Sequence, residues 1–405
     1  MTVSVPLQIP LVLGTRVVSP PIVLAPMAGV TNAPFRSLCR SFGPGLVYVN
    51  EMVMAAALIH GNAKTKRMVT FSADEDFRSL QIYGSDPDFV AKAVRRLCQN
   101  DEVDHIDMNF GCPAQKVTRK GGGAAVPVKK NLLRAIMAAA VHEASRFNIP
   151  VTGKFRIGIN DEITTYIDTG LIAQDEGIAA IALHARTAEQ HYAGHARWGA
   201  IANLKREVTR IPVLGNGDIW EATDAIEMMR QTQCDGVVIG RGCLGKPWLF
   251  RDLVDVFAGR EIQPTPHLGF VTDVMLQHAD ALCIHQGVES GIRSFRKHTG
   301  WYLTGYPVGS DIRRRMSMVS SIAELTTLSA ELDPTLKIVA GGERIARGHT
   351  NGPIRNLQVT GILNRDASCT AAAMMARNRF FFTGTAAPPP LRVTFWAGQP
   401  KFMSI

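Results

Sequence analysis

The sequence predicts an α/β fold, a TIM (β/α)8 barrel followed by a small all-helical domain, on three observations. Short apolar runs rich in β-branched residues alternate with amphipathic stretches of helical length from about residue 21 to residue 258. Eight such units in about 240 residues match the usual size of this barrel. From about residue 264 to residue 332 the apolar spacing is helical, without strands. A doubly wound sheet is the competing architecture, but the count of eight and the lack of an early Gly-x-Gly-x-x-Gly segment favour the barrel.

The eight candidate strands are short apolar runs separated by stretches of helical periodicity. They lie around Ile22–Pro26, Leu46–Glu51, Leu80–Tyr83, His105–Asn109, Val151–Arg156, Ala180–His184, Val213–Gly215 and Gly236–Gly240. Asp86 and Pro87 suit the N-cap and first turn of one intervening helix. We therefore predict a catalytic barrel at 1–258, a helical domain at 259–340, and a disordered or irregular tail at 341–405.

Composition limits the class of protein. The chain has 46% hydrophobic and 20% charged residues, which is ordinary for a globular protein. No stretch approaches the ~18 apolar residues of a membrane span, and the N-terminus lacks the basic region of a secretory signal. The seven cysteines form no Cys-x-x-Cys pair and are odd in number, which argues against a disulfide framework and a zinc site. We expect a cytoplasmic protein with reduced thiols and no metal.

Net charge alone does not identify a partner. The chain carries +9, but residues 341–405 hold eight basic and two acidic residues, a net charge of +6. Only +3 is left for the predicted barrel and helical domain. Any prediction of nucleic-acid binding must therefore depend on local basic clusters.

Polar residues and glycines follow nearly every candidate strand. The active site of a TIM barrel lies at the C-terminal ends of its strands. Singly, each such residue is explained by a turn, a solvated lysine or a satisfied core histidine. The strand ends carry, in chain order, Pro26-Met27-Ala28-Gly29, Gln81, Asn109-Phe110-Gly111-Cys112-Pro113, Lys154 and Arg156, His184 and Arg186, Asn216-Gly217-Asp218, and Gly240-Arg241-Gly242. Their common position predicts a ligand site at the barrel mouth.

The last two strand ends predict a phosphate site. Glycines after strands seven and eight of a barrel let backbone N–H groups approach an anion. Gly217 and the Gly240-Arg241-Gly242 segment suit a monophosphate in this position. Lys154 is placed to stabilise the negative charge of a reduced flavin, and Gln81 to hydrogen-bond the polar edge of its ring.

Cys112 is the candidate acid. It follows Asn109 at a strand end and precedes Pro113, so we expect it on a turn that faces the barrel mouth. A buried, inert cysteine is the usual case, and the other six cysteines suit it. A thiol with a pKa near ~8.5 is protonated at neutral pH and can act as a general acid.

The chain resembles the bacterial tRNA-dihydrouridine synthases over roughly residues 10–335. The motifs that carry the resemblance are APMAGVTNAPFR at 25–36, QIYG at 81–84, DMNFGCPAQKVTRKGGGAA at 107–125, GKFRIG at 153–158, HARTAEQHYAGHARW at 184–198, GNGDI at 215–219, IGRGCLGKPWLF at 239–250 and RKHTGWYL at 296–303. It implies NADPH-driven, FMN-mediated reduction of uridine in tRNA to 5,6-dihydrouridine. The resemblance does not extend to the tail after Ala340.

The resemblance also implies roles for individual residues. Cys112 matches the proton donor of the family. The implied cofactor-binding residues are Pro26, Met27 and Ala28 under the flavin, Gln81 and Lys154 at its ring, His184 near it, and Asn216, Gly217, Asp218, Gly240 and Arg241 around the ribityl chain and phosphate. Ala185 stands where related sequences have glycine, a departure that affects no catalytic role.

The alternative is an FMN-dependent barrel dehydrogenase acting on a small pyrimidine such as dihydroorotate. Two basic clusters discriminate between the two readings, because a tRNA enzyme needs contacts to phosphates. The predicted RNA-binding residues are Lys116, Arg119 and Lys120 after the Cys112 turn, and Arg293, Arg296 and Lys297 in the helical region. A solvated surface explains any one of these clusters equally well. A third reading, an RNA-binding module without catalysis, is opposed by the presence of Cys112 and Lys154.

Overall fold

The centre of the protein is a closed parallel β-barrel in a computed structural model that describes residues 9–61 and 63–348. The strands are β1 (Leu11–Leu13), β2 (Arg16–Val18), β3 (Ile22–Leu24), β4 (Val47–Tyr48), β5 (Val53–Met54), β6 (Ser79–Tyr83), β7 (His105–Phe110), β8 (Val151–Arg156), β9 (Ala180–His184), β10 (Val213–Asn216) and β11 (Gly236–Ile239). Each of the eight predicted strands corresponds to one of these elements. The α/β fold class is therefore confirmed.

The strands close into a ring through parallel pairs. Neighbours follow the order β4-β3-β11-β10-β9-β8-β7-β6-β5. A parallel bridge between Val49, just after β4, and Ser79, the first residue of β6, closes the ring, and β5 is a short extension paired with β6. In the register, Gln81 on β6 pairs with Asp107 on β7, which pairs with Thr152 on β8. The side chains of such partners point to the same side of the sheet.

Helices surround the barrel and then continue without strands. They are α1 (Ala33–Phe42), α2 (Ala55–His60), α3 (Ala63–Met68), α4 (Pro87–Gln99), α5 (Gln115–Thr118), α6 (Lys130–Ser145), α7 (Tyr166–Asp175), α8 (Trp198–Glu207), α9 (Ala222–Thr232), α10 (Leu249–Phe257), α11 (Leu268–Gln286), α12 (Val288–Tyr302), α13 (Ser310–Met316) and α14 (Ile322–Ala330). The Asp86 carboxylate caps α4 by accepting hydrogen bonds from the N–H groups of Asp88 and Phe89, as predicted. None of the helices in the described ranges is long and apolar enough to cross a membrane.

The hairpin of β1 and β2 was missed in the sequence. Leu11, Leu13 and Val18 are buried, and the two leucines line the interior of the barrel together with His105 and Asp107. Val12 and Val17 point to solvent, so the hairpin alternates buried and exposed residues. Three residues per strand are too few for that alternation to stand out in a sequence.

Helices α11 to α14 form a second hydrophobic cluster beside the barrel. Its centre includes Met275, Phe295 and Leu325, and Trp248 at the start of α10 joins it. Leu38 and Phe42 of α1 pack against this cluster, so the first barrel helix contacts the helical region. The predicted division at residue 258 falls in the connection between α10 and α11.

Residues 341–348 are the described part of the tail that we expected to begin at residue 341, and they contact the barrel. The Arg344 guanidinium forms ion pairs with Glu221 and Asp224 at the start of α9, at 2.6 and 2.8 Å. Arg347 is buried and donates to the carbonyl of Glu343. The segment is therefore attached to the barrel by acids that lie more than a hundred residues earlier, a pairing that local composition does not reveal. The rest of the expected tail, residues 349–405, lies outside the described residues.

A close approach between Gly245 and the backbone of α12 predicts a measurable cost for one added methyl group. Gly245 has φ +64°, and a Cβ there would overlap the backbone of Trp301 and Tyr302. Gly259 has nearly the same φ, +69°, with nothing within 4 Å of its Cβ position. Both Gly245→Ala and Gly259→Ala carry the left-handed strain of about 1–2 kcal/mol. We expect Gly245→Ala to lose about 1–3 kcal/mol more, the usual cost of overpacking, in urea unfolding. Equal losses in the two variants would show that α12 does not pack here.

Candidate active site

One cavity of about 470 Å³ opens at the C-terminal ends of the barrel strands. This volume is typical of sites for small molecules and cofactors. The predicted cofactor-binding residues all line it: Pro26, Met27, Ala28, Gln81, Lys154, His184, Asn216, Gly217, Asp218, Gly240 and Arg241. Cys112 lines the same cavity. Closure of the barrel thus collects at one place residues that are spread over more than two hundred positions.

The turn that carries Cys112 is held by the side chain of Asn109. The Asn109 Oδ1 accepts hydrogen bonds from the N–H of Gly111 at 3.1 Å and from the N–H of Cys112 at 2.9 Å. On the other side, the Cys112 carbonyl accepts from the N–H of Ala124 at 3.1 Å. Gly123 has φ +56°, and a Cβ there would lie 2.5 Å from the Cys112 carbonyl oxygen. The glycine run of the sequence therefore lets a second segment pack directly against the cysteine turn.

The Cys112 thiol is suited to hold a proton. It is partly buried, and this burial raises its pKa, although the Ala114 backbone, Arg156 and Lys116 act in the opposite direction. A raised pKa keeps the thiol protonated at neutral pH. The other five cysteines in the described ranges are buried and do not line the cavity.

The cavity is strongly electropositive. Its cationic lining residues are Lys116, Lys154, Arg156, Arg186, Arg241 and Lys297, and its acidic lining residue within the described chain is Asp218. Clefts lined by one sign of charge attract ligands of the other sign. The cavity is therefore built for an anion.

The Asp218 carboxylate organises part of this charge. It accepts from Arg186 Nη2 at 2.7 and 2.9 Å and from the N–H of Ala196 at 2.7 Å. Arg186 Nη1 is buried and has no hydrogen-bond partner among the described residues. A buried guanidinium N–H without a partner is costly, and an anionic ligand would supply the acceptor. The Asp218 carboxylate therefore holds Arg186 at the cavity that both residues line.

Lys154 lies deep in the barrel mouth. Burial lowers its pKa to about 7, with a further lowering by Arg156 and a raising effect of Asp107. Burial also lowers the pKa of His184 far below its usual value, with Arg156 and Lys154 as further causes. His184 is therefore neutral, whereas Lys154 changes charge near neutral pH. A negative ligand edge beside Lys154 would favour its protonated form.

Two aromatic rings support the arginines. The Arg241 guanidinium lies 4.4 Å from the ring centre of Tyr192 and 5.2 Å from that of Trp220, and Arg156 lies 5.6 Å from Tyr192. Cation–π contacts of this kind orient a guanidinium without using its N–H groups. Sequence reasoning missed Tyr192 and Trp220. Trp220 directly follows the GNGDI motif, which was the available signal.

The glycines that follow β10 and β11 differ in what they permit. A Cβ at Gly217, with φ +128°, would lie 2.6 Å from the Cβ of Ala196, and one at Gly242 would overlap the Ile219 carbonyl. At Gly240 the nearest atom to a Cβ would be Asn216 Nδ2, at 3.8 Å. Gly217 and Gly242 are thus required by the fold, whereas Gly240 leaves free space in the cavity wall.

The first basic cluster lies next to the cavity. Lys116, Arg119 and Lys120 are all exposed, on α5 and the turn after it. Lys116 also lines the cavity. Arg119 and Lys120 follow Lys116 on the chain but do not line the cavity.

The second basic cluster is divided among different contacts. Arg293 is exposed and pairs with Glu289 one turn earlier, at 2.7 Å. Arg296 Nε donates to the Val319 carbonyl at 2.8 Å, within the helical region. Lys297 Nζ reaches from α12 to the Gly29 carbonyl, at 2.5 Å, and lines the cavity. Of the three, Arg293 and Lys297 are exposed and Arg296 is half-buried.

No group of acids, histidines and cysteines within residues 9–61 and 63–348 has the arrangement of a metal site.

The chain is similar to known proteins over most of its length. Residues 23–337 match the family model described as dihydrouridine synthase. A probable tRNA-dihydrouridine synthase of Mycobacterium tuberculosis is 51% identical over 355 residues, covering 86% of this chain and 91% of the relative. The relative from Mycobacterium leprae, with the same description, is 50% identical and covers 76% of this chain and 87% of the relative. A tRNA-dihydrouridine synthase B of Xanthomonas axonopodis is 39% identical, with 74% and 89% covered.

The matched region runs from β3 through α14 and includes every residue predicted to bind the cofactor or to donate the proton. The family match spans well over half of the chain, and the relatives are similar over most of their own length. The chain therefore belongs to the dihydrouridine synthase family.

Proposed function

We propose that this chain reduces uridine in tRNA to 5,6-dihydrouridine, the reaction of its family, with FMN as cofactor, NADPH as reductant and Cys112 as proton donor. One observation carries the proposal: a protonated thiol and a cluster of buried cations line the same cavity, at the strand ends of a barrel. We assign its action to the cytoplasm, where tRNA is available. The small-pyrimidine alternative is not favoured by the family match.

The residues present fit FMN. The phosphate end offers the unpaired Arg186 Nη1, the Arg241 guanidinium and a cavity wall without a side chain at Gly240. The ring end offers Lys154 and Gln81, with Pro26, Met27 and Ala28 along the first strand end. A monophosphate and an anionic ring edge would thus each meet a cation.

The reaction adds a hydride and a proton across the C5–C6 bond of uracil. When bound and reduced, FMN supplies the hydride, which adds to C6. The Cys112 thiol gives its proton to C5, and the thiolate left behind is stabilised by Arg156 and Lys116, which both favour it electrostatically. The chain's other task is to admit the base, which must leave its stack to reach the cavity.

The cofactor assignment predicts the effect of filling the free space at Gly240. Gly240→Leu places a side chain where backbone and guanidinium groups would meet the phosphate, and φ there is not left-handed. We expect the purified variant to fold and to bind FMN at least tenfold more weakly, measured by fluorescence titration. Gly199→Leu on α8 is the matched control, because a Cβ there also has nothing within 4 Å and does not line the cavity. Equal FMN affinity in both variants would contradict the placement of the phosphate.

The acid assignment predicts a selective loss in Cys112→Ala. Dihydrouridine formation in tRNA should fall by about 10²–10⁴-fold, the usual contribution of general acid catalysis. Reduction of bound flavin by NADPH should stay normal, because the thiol acts on the uracil. Cys98→Ala removes a buried thiol on α4, outside the cavity, and serves as the control. A Cys112→Ala protein that modifies tRNA at the normal rate would require another proton donor.

The tRNA assignment predicts a role for the exposed cations beside the cavity. Reversing Lys116, Arg119 and Lys120 to Glu should weaken tRNA binding. The slope of log affinity against log salt should flatten by up to about one unit for each lost phosphate contact. Lys92→Glu, an exposed cation on α4, is the control and should change the slope little. If the triple variant keeps the wild-type slope, the tRNA does not lie over this cluster.

A further inference from the structure

A chain of buried polar side chains runs through the barrel interior to the cysteine turn. Its members lie on β6, β7 and β8 and are hydrogen-bonded in the order Ser79, His105, Thr152, Asp107, Gln81, Asn109. The first five are at most 8% exposed, so water does not replace a lost partner. The sequence motif around Cys112 includes Asp107, but no role was assigned to this residue or to Asn109. A carboxylate inside a strand that is otherwise buried is costly unless it is paired.

The direction of these hydrogen bonds is constrained at both ends, by the backbone N–H groups of the cysteine turn and by the Asp107 carboxylate. The N–H groups of Gly111 and Cys112 can only donate, so Asn109 must present its oxygen to them. The Asn109 NH₂ group then faces Gln81, which must accept through Oε1, at 2.7 Å. Gln81 in turn presents its NH₂ group to Asp107 Oδ2, at 2.6 Å. Only an acceptor at position 107 allows this whole sequence of bonds.

The other branch also ends on Asp107. Thr152 Oγ1 donates to Asp107 Oδ1 at 2.7 Å. The Thr152 hydroxyl has one proton, so it accepts from His105 Nε2, at 2.9 Å, and His105 Nδ1 accepts from Ser79, at 2.7 Å. Burial lowers the pKa of His105 to about 3, which keeps its ring neutral. Both branches therefore donate toward one carboxylate.

We propose that Asp107 is a positioning residue for the reaction: by accepting from Gln81 it fixes the orientation of Gln81 and Asn109, and thereby the backbone turn that aims Cys112 into the cavity. The proposal rests on the proposed function in that Cys112 acts as the acid. It adds a residue that touches no reacting atom. These bonds would also form if they served only to pair buried polar groups. In that case the position of the Cys112 thiol would not depend on which group donates and which accepts.

The direction can be reversed in a defined way. In Asn109→Asp, both side-chain oxygens of residue 109 accept, so Gln81 must turn its NH₂ group toward it. The Gln81 oxygen then faces Asp107, which accepts only, and the two repel. Replacing Asp107 by Asn in the same protein supplies a donor to that oxygen and an acceptor to Thr152, so every group is paired again.

Five variants of the FMN-loaded enzyme test this relation: Asp107→Leu, Asp107→Asn, Asn109→Asp, and the doubles Asp107→Asn/Asn109→Asp and Asp107→Leu/Asn109→Asp. The Leu double is the matched control. It removes the same charge at position 107 but offers no donor to Gln81. Two readouts are taken over a pH series: single-turnover formation of dihydrouridine in tRNA, and the rate of Cys112 alkylation by iodoacetamide, followed by peptide mass spectrometry.

We expect Asp107→Leu and Asn109→Asp to lose about 10²-fold in single turnover, the scale of a misplacement near 1 Å. The alkylation profile of Asp107→Leu should move to lower pH, toward an ordinary thiol near ~8.5, because a released turn is less buried. Asp107→Asn keeps an acceptor and should lose less than Asp107→Leu. Burial raises the pKa of Asp107, although Thr152, Gln81 and Lys154 act in the opposite direction. The defect of Asn109→Asp should therefore ease as pH falls, because a protonated Asp107 can donate to Gln81. The single-turnover rate of Asp107→Asn/Asn109→Asp should be at least tenfold higher than that of Asn109→Asp, and it should not rise as pH falls.

Two results overturn the proposal. In the first, Asp107→Leu/Asn109→Asp recovers turnover as fully as Asp107→Asn/Asn109→Asp. Loss of the negative charge at position 107 would then explain the rescue, without any hydrogen bond to Gln81. The other is an Asp107→Leu enzyme with wild-type turnover and alkylation profile. Because alkylation reports the position of the thiol whether or not it donates a proton, these results are distinct from a failure of Cys112 as the acid, which the Cys112→Ala variant tests.

Discussion

The structure depends most on the contact between the cysteine turn after β7 and the glycine run that follows α5. Gly123 approaches the Cys112 carbonyl so closely that a methyl group would not fit, and the next N–H, that of Ala124, donates to the same carbonyl. Asn109 holds the turn from the other side. A turn fixed on both sides keeps the thiol at the cavity wall, partly buried and protonated. The distance between thiol and ligand is thus set by backbone contacts, which are stiffer than a side chain alone.

Charge burial is the second feature on which the site depends. Lys154 and Arg156 are deep in the barrel mouth, and burial lowers the pKa of Lys154 to about 7 and that of Arg156 to about 10. Without a ligand these cations repel one another and cost folding free energy. An anionic cofactor relieves this cost, so binding and stability are linked, and the protein should gain stability as the site fills. The same dry, cationic surroundings favour negative charge at the ligand.

Much of the fold and site was predictable because it depends on local pattern. Strand positions follow from short β-branched runs, and the cavity residues from their place at strand ends. Closure of the barrel then brings Lys154 and Cys112 to the same cavity, so this proximity follows from the predicted fold. The β1–β2 hairpin was not predicted, because its strands are too short to show an alternating pattern. Asp107 was not predicted, because its role depends on hydrogen bonds to Gln81 and Thr152 on neighbouring strands. The contact of Arg344 was not predicted either, because its partners at the start of α9 are distant in sequence. Hydrogen bonds and ion pairs between separate elements cannot be read from a single sequence, whereas the periodicity of a helix or strand can.

The central claim is that this cavity transfers a hydride and a proton to a uridine held in tRNA. The most direct measurement is an anaerobic single turnover, in which the FMN-loaded enzyme is first reduced with one equivalent of NADPH and then mixed with unmodified tRNA. The account predicts that the flavin is reoxidised by tRNA and that one dihydrouridine appears for each flavin oxidised. Reoxidation by orotate or free uracil at the rate seen with tRNA, or reoxidation without dihydrouridine, would contradict it.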